Sequence, residues 1–285
     1  MEDKVQYACK EIAGAKYSLW SCYKWLASKK PGDDMTVYQD IFIPRLTEET
    51  DRHVIMDSGL FTMMFGAGKN VQQTRGTIQD WQDKQIEFVK QNGINSTVVE
   101  CDCQKLLGVD EAWYFRKRLK DKLKNPQINV YHKEDGKKGL DRLIEFSDYI
   151  AFSVPELRQV YGSNHAKVCR YLVEYTKNKK PEIDIHLLGC TDKKMLHQNR
   201  DCTSADSTSW LSGRRYGRVA GHHYTQLKDG AAVALEKKYR QQMEEWKIKL
   251  DIPSSEKLDS YYYMQGVLGI VSELRIYENI CGPQD

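Results

Sequence analysis

The chain has 285 residues, 40% of them hydrophobic, with 43 basic and 40 acidic side chains and a net charge of +3. This is enough for one large domain with a sizeable core, and the near-balance of charge excludes assigning a nucleic-acid binder on charge alone. No apolar run reaches eighteen residues, so neither a membrane span nor a membrane partner is expected.

The start, residues 1–14, lacks the apolar stretch of a signal peptide. Eight thinly spread cysteines suit a reducing cytoplasm better than a disulfide framework. Along the chain, short and often β-branched apolar segments at 16–23, 53–57, 97–102, 128–131, 149–153 and 183–188 read as buried parallel strands. Helical patterns alternate with them at 77–92, 110–123, 140–146, 156–160 and 166–176. Six or more such units predict an α/β fold, a TIM (β/α)8-type barrel with extra C-terminal helices. Two long helices at 229–250 and 255–278 close the chain. The expected organisation is one barrel domain over 1–285, with 229–285 a helical portion packed on it. Tyr261, Tyr262, Met264, Leu268, Ile270, Val271, Leu274 and Ile276 form a stripe for core packing or a dimer surface.

Arg116, Lys117, Arg118, Lys120, Lys122 and Lys124 crowd one helix, and Lys177, Lys179 and Lys180 form a second cluster. Each reads either as a solvated face or as a phosphate-tracking surface. Gly66, Gly68 and Lys69 lack the full phosphate-loop pattern, which excludes an ATPase reading. Cys190, His197 and Cys202 are the nearest approach to a ligand set, short of the spacing of a zinc site, and no metal or cofactor is expected.

Barrel enzymes place reacting groups at the C-terminal ends of different strands. Asp57 and Asp102 end two of the apolar segments, and Asp206 follows the last strand region. Any one of them could simply cap a helix; three together point to a site. Ser58, Gly59, Phe61 and Phe65 follow Asp57, with a glycine for close approach and aromatics for a planar heterocycle. Asp206 stands among small hydroxyl residues, with Arg214, Arg215 and Arg218 close behind it, which read either as an ordinary solvated loop or as a grip on phosphates.

Four segments in order, over roughly residues 50 to 220, resemble the tRNA-guanine transglycosylases. Asp57-Ser-Gly-Leu-Phe is similar to that family's Asp-Ser-Gly-Gly-Phe, and Val99-Glu-Cys-Asp102-Cys to its base-binding segment. His186-Leu-Leu-Gly189 is similar to its Leu-Met-Gly strand. Asp206-Ser-Thr-Ser-Trp-Leu-Ser-Gly-Arg-Arg-Tyr-Gly is similar to its nucleophile segment. Only Cys281 lies where the tRNA enzymes carry a zinc site, Leu60 replaces a glycine, and Ser209-Trp210 displaces an arginine. In these departures the chain resembles more closely the DNA-directed branch, the 7-deazaguanine DNA transglycosylases of phages and bacteria (DpdA-like).

The resemblance implies exchange of guanine in DNA for a 7-deazaguanine base such as preQ0, through a covalent Asp–sugar intermediate. Asp206 would be the nucleophile, Asp57 the acid/base and Asp102 the reader of the guanine edge. Ser58, Gly59, Phe61 and Gly189 would line the base pocket, and Arg214, Arg215 and Arg218 would hold the nucleic acid. The partners are then DNA with a flipped guanine and the small-molecule base. Phe61, Trp210 and Tyr216 are candidates to stack on the base, the last two equally candidates for the core; His222 and His223 are weaker phosphate candidates. A tRNA-directed transglycosylase, a glycoside or nucleoside hydrolase on a barrel, and a non-catalytic nucleic-acid-binding protein stand as alternatives. Monomer and homodimer both remain open.

Overall fold

The structure, a computed structural model, describes residues 4–27, 43–47, 53–65, 72–190, 192–211, 216, 218–219, 222–223, 230–249 and 260–281. The chain divides into two compact units. The larger comprises Tyr17–Cys190 and Asp201–Asp206; the smaller comprises Glu2–Lys16, Thr191–Arg200 and Ser207–Asp285. Helix α1 (Lys4–Ala13) belongs to the smaller unit.

The apolar segments of the larger unit become β1 (Tyr17–Ser21), β2 (His53–Asp57), β3 (Thr97–Val99), β4 (Gln127–Tyr131), β5 (Tyr149–Ser153), β6 (Asp184–Leu188) and β7 (Ser204–Ala205). They form one seven-stranded sheet in chain order, and every neighbouring pair is parallel. A parallel neighbour is reached only by a crossover, and crossovers share one hand. An order that never reverses therefore keeps the crossovers on one face, unlike a doubly wound sheet. On the other face, Ile55, Val99, Ile128, Val130, Tyr149, Ala151 and Leu188 join in one apolar cluster drawn from five strands. On a flat sheet β2 and β6 would stand about 19 Å apart. The sheet is instead curled and half-open, an α/β arrangement with helices outside.

The crossovers carry α2 (Tyr23–Leu26), α3 (Ile43–Thr47), α4 (Leu60–Phe65), α5 (Arg75–Gln91), α6 (Gln104–Leu107), α7 (Val109–Lys122), α8 (Gly136–Phe146), α9 (Val154–Tyr161) and α10 (His165–Lys179). Helix α5 begins two residues before the expected 77 because Thr74 caps it, accepting from the Thr77 amide while the Thr77 hydroxyl accepts from the Thr74 amide. Its Ile78, Trp81, Ile86 and Val89 are buried, as the helical spacing requires.

The basic run on α7 is not one phosphate-tracking face. Arg116 is buried, and its Nε donates to both Glu100 oxygens at 3.0 and 2.8 Å. Its Nη2 donates to the Val130 carbonyl at 2.6 Å. Glu100 also accepts from the Val130 amide at 3.0 Å and from Asn129 Nδ2 at 2.7 Å. One ion pair thus fastens α7 to β4 and to the end of β3. Arg118 is bound by Asp83 and Gln82, and Lys120 donates to the Phe146 carbonyl. Lys177 likewise donates to the Pro181 and Ile183 carbonyls, while Lys179 and Lys180 pair with Asp141 and Asp148.

In the smaller unit, α1 accompanies α11 (Lys193–Gln198), a short antiparallel ladder of β8 (Arg218–Val219) and β9 (His222–His223), α12 (Gly230–Lys249) and α13 (Ser260–Cys281). Met264, Leu268, Ile270 and Val271 of the expected stripe are buried within the chain, so that part is core. A methyl on Gly269 would come within 2.6 Å of the Trp210 carbonyl oxygen, and one on Gly266 within 2.6 Å of Cys9 Sγ. Among the described residues, no helix is long and apolar enough to cross a membrane.

Removing the cation of the buried Glu100–Arg116 pair would strand a carboxylate in the core. Arg116→Ala is expected to lower stability by about 3–5 kcal/mol in urea unfolding, whereas Lys117→Ala, on the exposed side of the same helix, should stay within about 0.5 kcal/mol of wild type.

Candidate active site

Parallel pairing brings the C-terminal ends of all seven strands of the sheet to one edge. Asp57 ends β2, Asp102 lies just beyond β3, and Asp206 directly follows β7. Asp57 is close enough to Asp206 and Asp102 for both charges to act on it. The three acids taken from the sequence therefore share this edge, with Asp57 within electrostatic reach of the other two.

Each is held differently. The Asp57 Oδ2 accepts from the Gly59 amide at 3.0 Å. Gly59 has φ +74°, and a Cβ there would lie 2.7 Å from the Tyr23 backbone nitrogen, so only glycine fits this turn. Burial pushes the Asp57 carboxyl up; the Gly59 amide pulls it down, Asp206 pushes it up again, and the balance lies at about 6. The Asp206 Oδ1 accepts from the Gly189 amide at 3.0 Å and faces His186 Nε2 at 3.1 Å. Gly189 has φ +66°, and its missing side chain makes room for the Pro155 ring, which a Cβ would approach to 2.8 Å.

Asp102 is clamped by a residue that sequence inspection passed over. His132 follows β4 and is buried, with Nε2 2.7 Å from Asp102 Oδ1 and Nδ1 2.7 Å from Glu156 Oε2. Lys105 lies 3.2 Å from the same Glu156 oxygen. Burial disfavours the charged ring, but the bonds to Asp102 and Glu156 outweigh it and push His132 up to about 10. Seen from the other partner, burial is again overcome and Glu156 falls to about 2. His132 is thus an imidazolium at neutral pH, donating to a carboxylate on each side.

His132, Glu134 and Glu156 bring their donor atoms within 4.8 Å of one another. A metal ion there would need a bare ring nitrogen, and both nitrogens are committed to carboxylates, so this set does not suit a cation. No protein-family model matches this chain, and no curated protein matches it.

Of the other expected site residues, Phe61 is 72% exposed on α4. Ser58 is buried; its carbonyl accepts from Trp81 Nε1 at 2.8 Å, and its hydroxyl accepts from the Leu60 amide. It therefore braces the turn that carries Asp57. In the smaller unit Trp210 is buried and Tyr216 exposed, so of these two only Tyr216 has an open ring to stack on a base. Arg214 and Arg215 lie outside the described residues, as do Gly66, Gly68 and Lys69. Arg218, His222 and His223 stand on β8 and β9, and only their backbone is described.

His132, Glu156 and His186 left a faint signal in the sequence. His132 directly follows an apolar strand, as Asp57 ends one, and His186 interrupts the apolar run of β6. A polar residue where burial is expected needs a partner.

The clamp has a pH signature. An exposed histidine titrates near 6.5, so an imidazolium held to about 10 contributes its full stabilisation below about 6.5. That contribution drains away as pH rises towards 10. Thermal midpoints measured from pH 7 to 10 should therefore fall for wild type. His132→Gln should start lower and fall less over the same window.

Proposed function

We propose that the chain is a transglycosylase that exchanges guanine in DNA for a 7-deazaguanine base. The observation that carries this reading is the gathering of Asp57, Asp102 and Asp206 at one sheet edge, with the Asp57 carboxyl pushed up to about 6. Base exchange with retention at C1′ needs one ionised nucleophile and one group that gives and takes a proton near neutrality. The half-open sheet supports a further expectation, that this unit is a (β/α)8-type barrel whose closing strand lies beyond the seven described.

Asp206 attacks C1′ of the target nucleotide, and the bond from C1′ to the guanine N9 breaks. Protonated Asp57 supplies the proton the departing guanine takes up. The result is a sugar ester on Asp206 and a carboxylate on Asp57. The incoming 7-deazaguanine binds in place of guanine, gives its ring proton to Asp57 and attacks C1′. The ester bond breaks, and Asp206 returns as a carboxylate. Two inversions give net retention. Asp102, bonded to His132 Nε2, accepts from the paired ring N–H and exocyclic amine of a guanine-like edge. A base with a ring acceptor at that position would set a lone pair against the carboxylate. Exposed Phe61 offers a stacking face for a base drawn out of the duplex. Arg214, Arg215 and Arg218 are proposed to hold the flanking phosphates.

Incubation with guanine-containing DNA should give a denaturation-resistant protein–DNA adduct. Asp206→Asn should lower its rate by at least about 1,000-fold, and normal adduct formation by that variant would remove Asp206 as nucleophile. Asp102→Asn should raise the KM for the incoming base about 10- to 100-fold. Labelled-guanine exchange on DNA and on tRNA separates the polymers: incorporation into tRNA alone overturns the DNA assignment. Release of free base without exchange points to a hydrolase.

The proton economy gives a separate expectation. Single-turnover adduct formation uses protonated Asp57 and should decline as pH rises through about 6. Release of the adduct by incoming base uses the carboxylate and should decline as pH falls through the same point.

A further inference from the structure

Three side chains from adjacent strands form a hydrogen-bonded file that ends on Asp206. The Tyr149 hydroxyl of β5 and the Ser204 hydroxyl of β7 are 2.5 Å apart. The Ser204 hydroxyl and His186 Nδ1 of β6 are also 2.5 Å apart, and His186 Nε2 reaches Asp206 Oδ1 at 3.1 Å. The register explains the meeting, since His186 pairs with Ser204 across β6 and β7 and Tyr149 starts the neighbouring β5. His186 is almost wholly buried, Tyr149 is buried, and their rings meet edge to face at 6.4 Å.

Hydrogen-bond accounting gives the file a direction. A serine hydroxyl has one proton, and a neutral imidazole has one donor and one acceptor nitrogen. If Nδ1 carried the ring proton, Nε2 would present a lone pair to the Asp206 carboxylate. Ser204 would then accept from the ring, and either its own proton or the phenol proton would be left with no acceptor in the file. If Nε2 carries it, Tyr149 donates to Ser204, Ser204 donates to Nδ1 and Nε2–H donates to Asp206. Every group is then satisfied. Burial also pushes the Tyr149 phenol up to about 12, which keeps its proton in place at neutral pH.

We propose that Tyr149, Ser204 and His186 are positioning residues that fix the histidine tautomer and aim Nε2–H at Oδ1 of Asp206, leaving Oδ2 to attack the sugar carbon. A single N–H aimed at Oδ1 fixes the plane of the carboxyl group and leaves the second oxygen open. His132 meets a carboxylate at each ring nitrogen, whereas His186 meets a hydroxyl at one and Asp206 at the other, so the two histidines are held differently. This assignment of roles rests on the transglycosylase reading, but the tautomer does not.

The test has two readouts on the same proteins. Nitrogen–proton correlation spectra of ¹⁵N-histidine-labelled protein at pH 8 report the His186 tautomer without any substrate. Wild type and Ser204→Thr, which keeps the hydroxyl, should show Nε2–H; Ser204→Ala and Tyr149→Phe should lose that fixed preference. An Nδ1–H signal in wild type overturns the file whatever the activity. In single-turnover assays on guanine-containing single-stranded DNA, Ser204→Ala should form the adduct at least 10-fold more slowly with DNA affinity unchanged, and Ser204→Thr should restore the rate (about 1.4 kcal/mol per tenfold). A wild-type rate in Ser204→Ala, with the tautomer lost, overturns the positioning role. A wild-type protein that shows Nε2–H but forms no adduct overturns the exchange reading and supports the file as an orienting device for Asp206. Thermal melts of each variant identify any that fails to fold, and Tyr149→Phe then carries the test in place of Ser204→Ala.

Discussion

Three carboxylates drawn to one partly dry edge raise the cost of one another's charge, and the arrangement around them follows from that constraint. Like charges raise one another's affinity for a proton, and burial adds to the effect. The structure answers by distributing donors unequally. Asp206 receives an amide and an imidazole, Asp102 receives an imidazolium, and Asp57 receives the Gly59 amide at the close of its strand. The Asp57 carboxyl accordingly lies at about 6, where it can take up and give away a proton near neutrality. Glu156 and Lys105 complete the balance around His132 without touching the three acids directly.

The scaffold makes this distribution possible by supplying rigid strand ends at a shared edge. A parallel sheet in unbroken chain order delivers one residue per crossover to that edge, so groups far apart in sequence arrive side by side. Rigidity comes partly from polar groups behind the sheet. Glu100 sits two residues before Asp102 and is fixed by Arg116, Asn129 and the Val130 amide. The segment leaving β3 is therefore anchored on its helix side just before it presents Asp102. Asn129 is held in turn by the Ser147 hydroxyl, which ties the start of β5 into the same brace.

Six of the seven strands of the parallel sheet and the longer helices were legible because apolar runs of four to eight residues, separated by helical patterns, follow from burial periodicity. The three aspartates were legible because acids at strand ends are unnecessary for burial. What could not be read was pairing. Arg116 looked like one more charge on a basic helix, yet it is buried because Glu100, sixteen residues earlier, is placed opposite it. His132 and His186 are single polar residues beside apolar runs, and their roles depend on which side chains the neighbouring strands bring to them. Trp210 reads equally as a base-stacking ring or as core, and the close fit of Gly269 against its backbone accompanies a buried ring. Spacing along the chain decides which residues share a face; it does not decide which faces meet.

The strand that carries Asp206 is the shortest of the sheet, only Ser204–Ala205, and stands at its end. It is joined to β6 through backbone bonds from Thr203 to Ile185 and from Asp206 to Leu187, with the Thr203 hydroxyl on Asp184 and Asp201 on Arg170 as outer latches. A two-residue strand has fewer ladder bonds to lose than the central strands and opens at lower cost. Any local fraying of this edge withdraws Ser204 and Asp206 in a single step and leaves His186 without both of its partners. Amide hydrogen exchange at Asp206 thus measures more than the mobility of a short strand. It counts the fraction of molecules in which Asp206 is held against Gly189 and His186.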